Sequence, residues 1–184
     1  MPRITPVTIE TAPESTKPLL EAINGKLGKV PNLLGTLGRS PAALNTYLNL
    51  GDALGKGSLG AKVHEQLAVA IANHSKCEYC ASAHTVIGKM NGVDGDELAK
   101  NLHGESGNPK VQAAINFAYA IIDSRGFVSD ADFSAARDGG LNDEELLEVL
   151  SVTATNLFTN YANHILQTEN DFPKVDLVET AGAS

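Results

Sequence analysis

Residues 60–90 read GAKVHEQLAVAIANHSKCEYCASAHTVIGKM. Between Ala61 and His74 apolar side chains recur at helical spacing with no Pro or Gly among them, which predicts a helix over about Gly60 to His74. Ser75-Lys76-Cys77-Glu78 has the S-x-x-E form of a capping box, in which a serine and a glutamate three residues later each satisfy the other's backbone N–H. A second helix is therefore expected to start after Ser75 and to run to about Met90, where Asn91-Gly92 stops it. On that helix Cys80 and His84 follow Cys77 by 3 and 7 residues. At about 100° per residue, all three share an arc of roughly 60°.

The flanking sequence is helical in the same way. Residues 1–12 carry Pro2 and Pro6, with Pro13 just beyond, and read as an extended arm. Ser15 to Leu27 is a candidate helix, and Ser40-Pro41 caps and opens another that reaches about Leu54. Further helices are expected over about Gly95 to Leu102, from Asn108-Pro109 to near Gly126, and from Ser129 to Gly139-Gly140. Asn142 caps a long final stretch to Gln167, with Asn156 to Asn160 as the place for a break. No period-2 strand pattern is present, so the fold class is all-α: a compact multi-helix bundle in one domain, residues 1–184, with a flexible tail over 175–184.

Offset by 83 residues, Glu65 to Asn73 lies over Glu148 to Asn156 with Glu, Leu, Val and Asn in register. Two Ala/Val-rich helices align by composition alone; the sharper reading is a duplicated helical hairpin. Asn160, Asn163 and Gln167 then stand where the first copy has Cys77, Cys80 and His84, and are expected to be structural. Glu144, Glu145 and Glu148 read as a solvated first turn.

Composition limits the function. The 184 residues are 42% apolar and 20% charged, with a net charge of −8, ordinary for a soluble globular chain. That charge disfavours nucleic acid and anionic membrane surfaces as partners. The longest unbroken apolar run, Leu67 to Ala72, is too short to span a bilayer, and the N-terminal sequence has no secretory h-region, so a cytoplasmic location is expected. Two cysteines two residues apart make no disulfide scaffold; their value is chemical.

A thiol in the first turn of a helix faces unpaired N–H groups and the positive end of the dipole, and Lys76 adds charge, so a depressed pKa is expected. His84, four residues after Cys80, can move a thiol proton, and Glu65, one helix earlier, can orient that imidazole. The same residues are possible zinc ligands, with a fourth to come from Glu65, His64, His74, His103 or His164.

Glu65, eleven residues, Cys77-x-x-Cys80, three residues and His84 resemble the E-x11-C-x2-C-x3-H signature of the alkylhydroperoxidase D-like, peroxidase-related branch of the carboxymuconolactone decarboxylase superfamily. VPNLLGTLGRSPAALNTYLNL and NLFTNYANHILQTENDFP resemble its lead-in helices and C-terminal segment, so the resemblance covers roughly residues 28–175. It implies a helical fold assembled as a homo-oligomer, a trimer or hexamer, and a peroxidase that reduces alkyl or hydrogen peroxides with a cysteine pair and needs neither cofactor nor metal. Cys80 would be the peroxidatic thiol, Cys77 its disulfide partner, and Glu65 with His84 the proton relay. An external dithiol, of lipoyl type in this family, would restore the thiols. Tyr79 stands where the best-known members carry a histidine between the cysteines. The rival readings are a non-catalytic oligomeric redox sensor or zinc module, and a decarboxylase-type acid/base enzyme using Glu65 or His84.

Overall fold

The computed structural model describes residues 1–179. Among them the regular structure is entirely helical: α1 Lys17–Leu27, α2 Asn32–Leu37, α3 Pro41–Leu54, α4 Gly60–His74, α5 Glu78–Met90, α6 Gly95–Leu102, α7 Pro109–Asp123, α8 Asp130–Asp138 and α9 Asp143–Leu166. The helix starts follow the side chains that the sequence supplies. Ser40, Asp94, Asn108, Ser129 and Asn142 each accept a backbone N–H from the first turn they precede, and Asn142 with Glu145 forms a full capping box.

Helix α4 is the shared wall of the molecule. Its residues from Glu65 to Asn73 are all buried, and it packs on α3, α5, α6, α7 and α9. Leu67, Ala70 and Ile71 face a core built with α7, α8 and α9. Ala72 belongs to a second core that joins α5 to the N-terminal arm and α1 to α3. Small residues set the spacing. A Cβ on Gly88 of α5 would lie 2.9 Å from Leu98 Cδ2, so Leu98 of α6 would have to shift, and at an ordinary 3.5 Å from Glu65 Cβ of α4.

The two ends of the described chain are docked. Arg3 N–H donates to the Leu166 carbonyl at 2.8 Å, and Val7 N–H to Gly35 at 3.1 Å, so the arm is extended as expected but pinned across α2 and the end of α9. The expected flexible tail differs over 175–179. Val175 N–H donates to Ser82 Oγ at 3.0 Å, and the Asn73 amide pairs with both backbone groups of Val178 at 2.9 Å. The remainder of that tail, 180–184, lies outside the described residues.

Three further expectations are corrected. Helix α9 has no break and is one continuous helix of 24 residues, so the second copy of the repeat is not a hairpin. Its polar residues bond back along the helix, Asn156 to the Val152 carbonyl and Thr159 to that of Asn156, which removes the local demand for an interruption. Glu145 and Glu148 are not solvated: Glu145 is buried beside Lys110, and Glu148 accepts the N–H groups of Ser58 and Leu59, both at 2.8 Å, ahead of α4. Ser75 does not cap α5. It ends α4, Lys76 turns left-handed at φ 57°, and Cys77 becomes the N-cap. Among the described residues no helix is long and apolar enough to cross a membrane.

A lysine in the left-handed region is strained by about 1–2 kcal/mol, against roughly 0.4–1 kcal/mol of unfolded-state entropy that a glycine adds. Lys76→Gly is expected to raise unfolding free energy by about 0.5–1 kcal/mol in urea titration. A loss of stability would show that the lysine side chain stabilises this turn by more than its backbone strain costs.

Candidate active site

The left-handed turn at Lys76 places the two sulfurs differently. Cys77, at φ −98° and ψ 91°, accepts the Cys80 N–H on its Sγ at 3.3 Å. Cys80 lies within the first turn of α5, and its Sγ accepts the Asn163 side-chain N–H at 3.1 Å. Both thiols are free and buried, 1% and 2% exposed. Their ionisation is split. The Cys80 S–H and backbone N–H both donate to Cys77; burial opposes them, but with help from the Asn163 amide and the charge of His84 the Cys77 pKa falls below its ordinary value. Burial pushes the Cys80 thiol well above its ordinary range, and the bond and charge shared with Cys77 add to this, while Asn163 and Thr159 offset part of it. The thiolate favoured by the helix end is therefore that of Cys77, with Cys80 as its proton-bearing neighbour.

Behind them lies a carboxylate with two imidazoles. His84 Nδ1–H donates to Glu65 Oε2 at 2.8 Å and His64 Nδ1–H to Oε1 at 3.1 Å. The rings stand edge to face, 6.5 Å apart. Burial alone would push the Glu65 pKa up; the charge of His84 and the bonds from both histidines outweigh it and carry it down to about 2. Burial pulls His84 down, yet the charge and hydrogen bond of Glu65, with the Cys77 thiolate, bring its pKa above the ordinary value. With Nδ1 committed to Glu65, His84 keeps Nε2 for other partners.

A cavity of about 80 Å³ meets this chemistry at Cys80 and His84, with Asn163 and Thr159 beside them and apolar walls that include Tyr47, Tyr79 and Phe172. Cys77 and Glu65 do not line it. Tyr79, between the two cysteines, is a latch: its hydroxyl donates to Asp171 at 2.9 Å and accepts the Leu33 N–H at 3.2 Å. Asp171 also pairs with Lys29 at 2.8 Å, and the Lys29 ammonium lies 4.1 Å over the Phe172 ring. The C-terminal segment is thereby drawn over the cavity.

The structure thus brings together Glu65, Cys77, Cys80 and His84. It leaves His74 elsewhere, bonded to Asp123 and stacked on Tyr119. The sequence reading passed over Tyr47 and Thr159, weighed His64 only as a possible zinc ligand, and expected Asn163, weighed also as a pocket-lining residue, to be structural. The 83-residue offset carried a signal, since the two residues it superposes, Cys80 and Asn163, are in contact. His164 Nε2–H also donates to the Lys76 carbonyl at 3.2 Å, so α9 clamps the turn that sets Cys77. Among the described residues no group of three or more His, Cys, Asp or Glu is placed to hold a metal ion.

A carboxylate depressed from 4.5 to about 2 stabilises the fold above pH 4.5, and that contribution is lost as pH falls toward 2. Unfolding free energy measured across this window is expected to fall more steeply in the native chain than in Glu65→Gln. Parallel curves would mean that Glu65 is not held ionised by its histidines.

The carboxymuconolactone decarboxylase family matches the sequence over residues 41–116, a stretch that includes Glu65, both cysteines and His84. No curated protein sequence matches. Among solved structures, the fold is similar to an alkylhydroperoxidase AhpD core, an uncharacterized peroxidase-related protein from Ralstonia eutropha JMP134, with a TM-score of 0.80, 24% identity and 92% of each chain covered. A peroxidase-related protein from Silicibacter sp. TM1040 gives a TM-score of 0.76 at 24% identity over 86% of each chain. The debrominase Bmp8, in complex with 2,3,4-tribromopyrrole, gives 0.78 at 20% identity over 91% of each chain. Residues 41–116 thus match the carboxymuconolactone decarboxylase family, and the described all-helical fold is similar to that of a solved AhpD-core, peroxidase-related protein.

Proposed function

We propose that this protein is a dithiol peroxidase that reduces small, uncharged, largely apolar hydroperoxides. The observation that carries this reading is a pair of free thiols at a helix N-terminus, one of which faces a largely apolar cavity beside an imidazole. No charged side chain other than His84 lines that cavity, so an anionic or cationic substrate would lose its hydration without a partner.

Cys80 is the thiol that the substrate reaches. Its proton passes to the Cys77 thiolate or to His84 Nε2, and the Asn163 amide stabilises the sulfur charge that results. The Cys80 thiolate attacks the distal oxygen, the O–O bond breaks, and the leaving alkoxide takes a proton from the imidazolium that Glu65 supports. Cys80 is then a sulfenic acid. Cys77 attacks that sulfur as the thiolate, any proton it took from Cys80 passing to the imidazole now left neutral; the Cys77–Cys80 disulfide forms and hydroxide leaves, which that proton, or one from solvent, turns to water. Two thiols and one hydroperoxide give one disulfide, one alcohol and one water. An external dithiol, of the lipoyl class that the resemblance implies, restores the pair by exchange.

A second reading shares the two-electron chemistry. The likeness to the debrominase Bmp8 and the aromatic walls of the cavity favour reductive removal of halide from a small aromatic ring. In that balance two thiols and one carbon–halogen bond give a disulfide, a carbon–hydrogen bond and hydrogen halide.

The test is anaerobic thiol counting on the reduced protein with one equivalent of tert-butyl hydroperoxide or of a bromopyrrole. Loss of two thiols and a Cys77–Cys80 disulfide with the first reagent alone is expected; reaction with the second alone selects dehalogenation; loss of thiols with neither sinks both. Cys80→Ser is expected to abolish the reaction, whereas Cys77→Ser stops at a trappable sulfenic acid; trapping on Cys77 instead would reverse the roles. Asn163→Ala removes a hydrogen bond to a charged group, about 1.5–3 kcal/mol. Single-turnover rates should therefore fall by about 10- to 100-fold, with the melting temperature little changed; a stability loss with unchanged rate would make Asn163 structural.

A further inference from the structure

Six residues bring polar side chains to the cavity: Tyr47, Tyr79, Cys80, His84, Thr159 and Asn163. Most of that polarity is committed to the protein itself. The Tyr79 hydroxyl is held between Asp171 and Leu33. Thr159 donates to the Asn156 carbonyl at 3.0 Å, and the Asn163 amide donates to Cys80. His84 gives Nδ1 to Glu65 and keeps Nε2. Tyr47 is the exception: among the described residues its hydroxyl has no hydrogen-bond partner. A buried tyrosine hydroxyl ordinarily finds one.

Helix α3 puts it there. Leu44 is fully buried and Leu48 is partly buried against the same core, so positions 44, 47 and 48 mark the inward face of α3. That helix packs on α4 and α9, which carry Glu65 and Asn163. Burial, with the charges of Glu65 and Cys80 behind it, pushes the Tyr47 pKa up. The phenol therefore keeps its proton and stays a donor.

We propose that Tyr47 is a catalytic residue whose hydroxyl donates a hydrogen bond to the proximal oxygen of the bound hydroperoxide, the oxygen that leaves. The inference rests on the peroxidase reading and adds a second donor to it. The Cys80 thiolate gives its electron pair to the distal oxygen, which keeps its hydrogen and becomes S–OH. The O–O electron pair goes to the proximal oxygen as alkoxide, and the His84 imidazolium supplies the proton that makes the alcohol. Tyr47 transfers nothing. Its hydrogen bond strengthens as charge grows on the leaving oxygen, and apolar walls leave water little chance to compete for that oxygen. The same bond sets the direction of binding. With the proximal oxygen held by Tyr47, the distal oxygen is the one left for Cys80, and the alkyl group falls to the apolar walls around Leu33, Leu34 and Phe172.

The test compares two oxidants on the native chain and on Tyr47→Phe, which keeps the ring and removes the hydroxyl. Because that hydroxyl bonds nothing among the described residues, the melting temperature is expected to stay the same or to rise. Single-turnover thiol loss with tert-butyl hydroperoxide is expected to fall about 10- to 100-fold, the range for one lost hydrogen bond to a developing charge. Peracetic acid, uncharged at mildly acidic pH, expels acetate, a weak base that gains little from a donor; at the same pH its rate is expected to change by less than about 3-fold. An equal fall with both oxidants would make Tyr47 a shaper of the cavity or of the Cys80 thiol, and overturns the donor role. An unchanged rate with tert-butyl hydroperoxide, or a loss of stability, also overturns it. A native chain that loses no thiols to tert-butyl hydroperoxide overturns the peroxidase reading itself, and this inference with it.

Discussion

A charged carboxylate inside a helical core is tolerated only when its oxygens are occupied, and Glu65 has an imidazole on each. Much of the architecture serves that requirement. Helix α4 must be buried where it carries Glu65 inward, and α5 must pack against it closely enough to bring His84. His64, on the residue before Glu65, takes the other oxygen and so leaves the carboxylate no oxygen without a donor. The electrostatic result is a proton-rich imidazole beside a cavity otherwise walled mostly by apolar groups.

The turn between α4 and α5 divides labour between two sulfurs that the sequence presents as near equivalents. Because the backbone reverses at Lys76, Cys77 takes the capping position and its charge is met by the helix end, while Cys80 stays buried, protonated and turned to the cavity. The sulfur most easily ionised is not the one that meets a substrate. Proton transfer between neighbours then joins the two properties. Tyr79, between them, is architectural: its hydroxyl anchors Asp171.

Cys77, Cys80 and His84 were legible together because helical spacing converts directly into a shared face, Glu65 entered through the motif that it completes, and four of the helix starts were legible because Ser or Asn side chains cap them locally. The capping box at Ser75 was misread for the opposite reason. S-x-x-E describes a possible local arrangement, but the α4–α5 crossing and the bond from His164 to the Lys76 carbonyl are tertiary, and they move the cap two residues on. Asn163 was misread because an amide aligned with a thiol looks like a silent copy; nothing in one sequence says that the two copies pack against each other. His64 was read only as a possible zinc ligand because neighbours in sequence point to different sides of a helix, yet a carboxylate one residue along can reach back. Continuity of α9 and docking of residues 175–179 depend on hydrogen bonds to Asn73, Ser82 and helix carbonyls that no periodicity encodes.

The latch over the cavity also sets an order in time. Asp171 and Phe172 lie about ninety residues downstream of Cys80, and Asn163 is eighty-three residues downstream. At about 5–20 residues per second, a nascent chain carries its cysteine pair for roughly 5–20 seconds before the segment that covers it has been made. During translation the thiols therefore meet the oxidants of their surroundings without the shelter, or the selectivity, of the finished cavity.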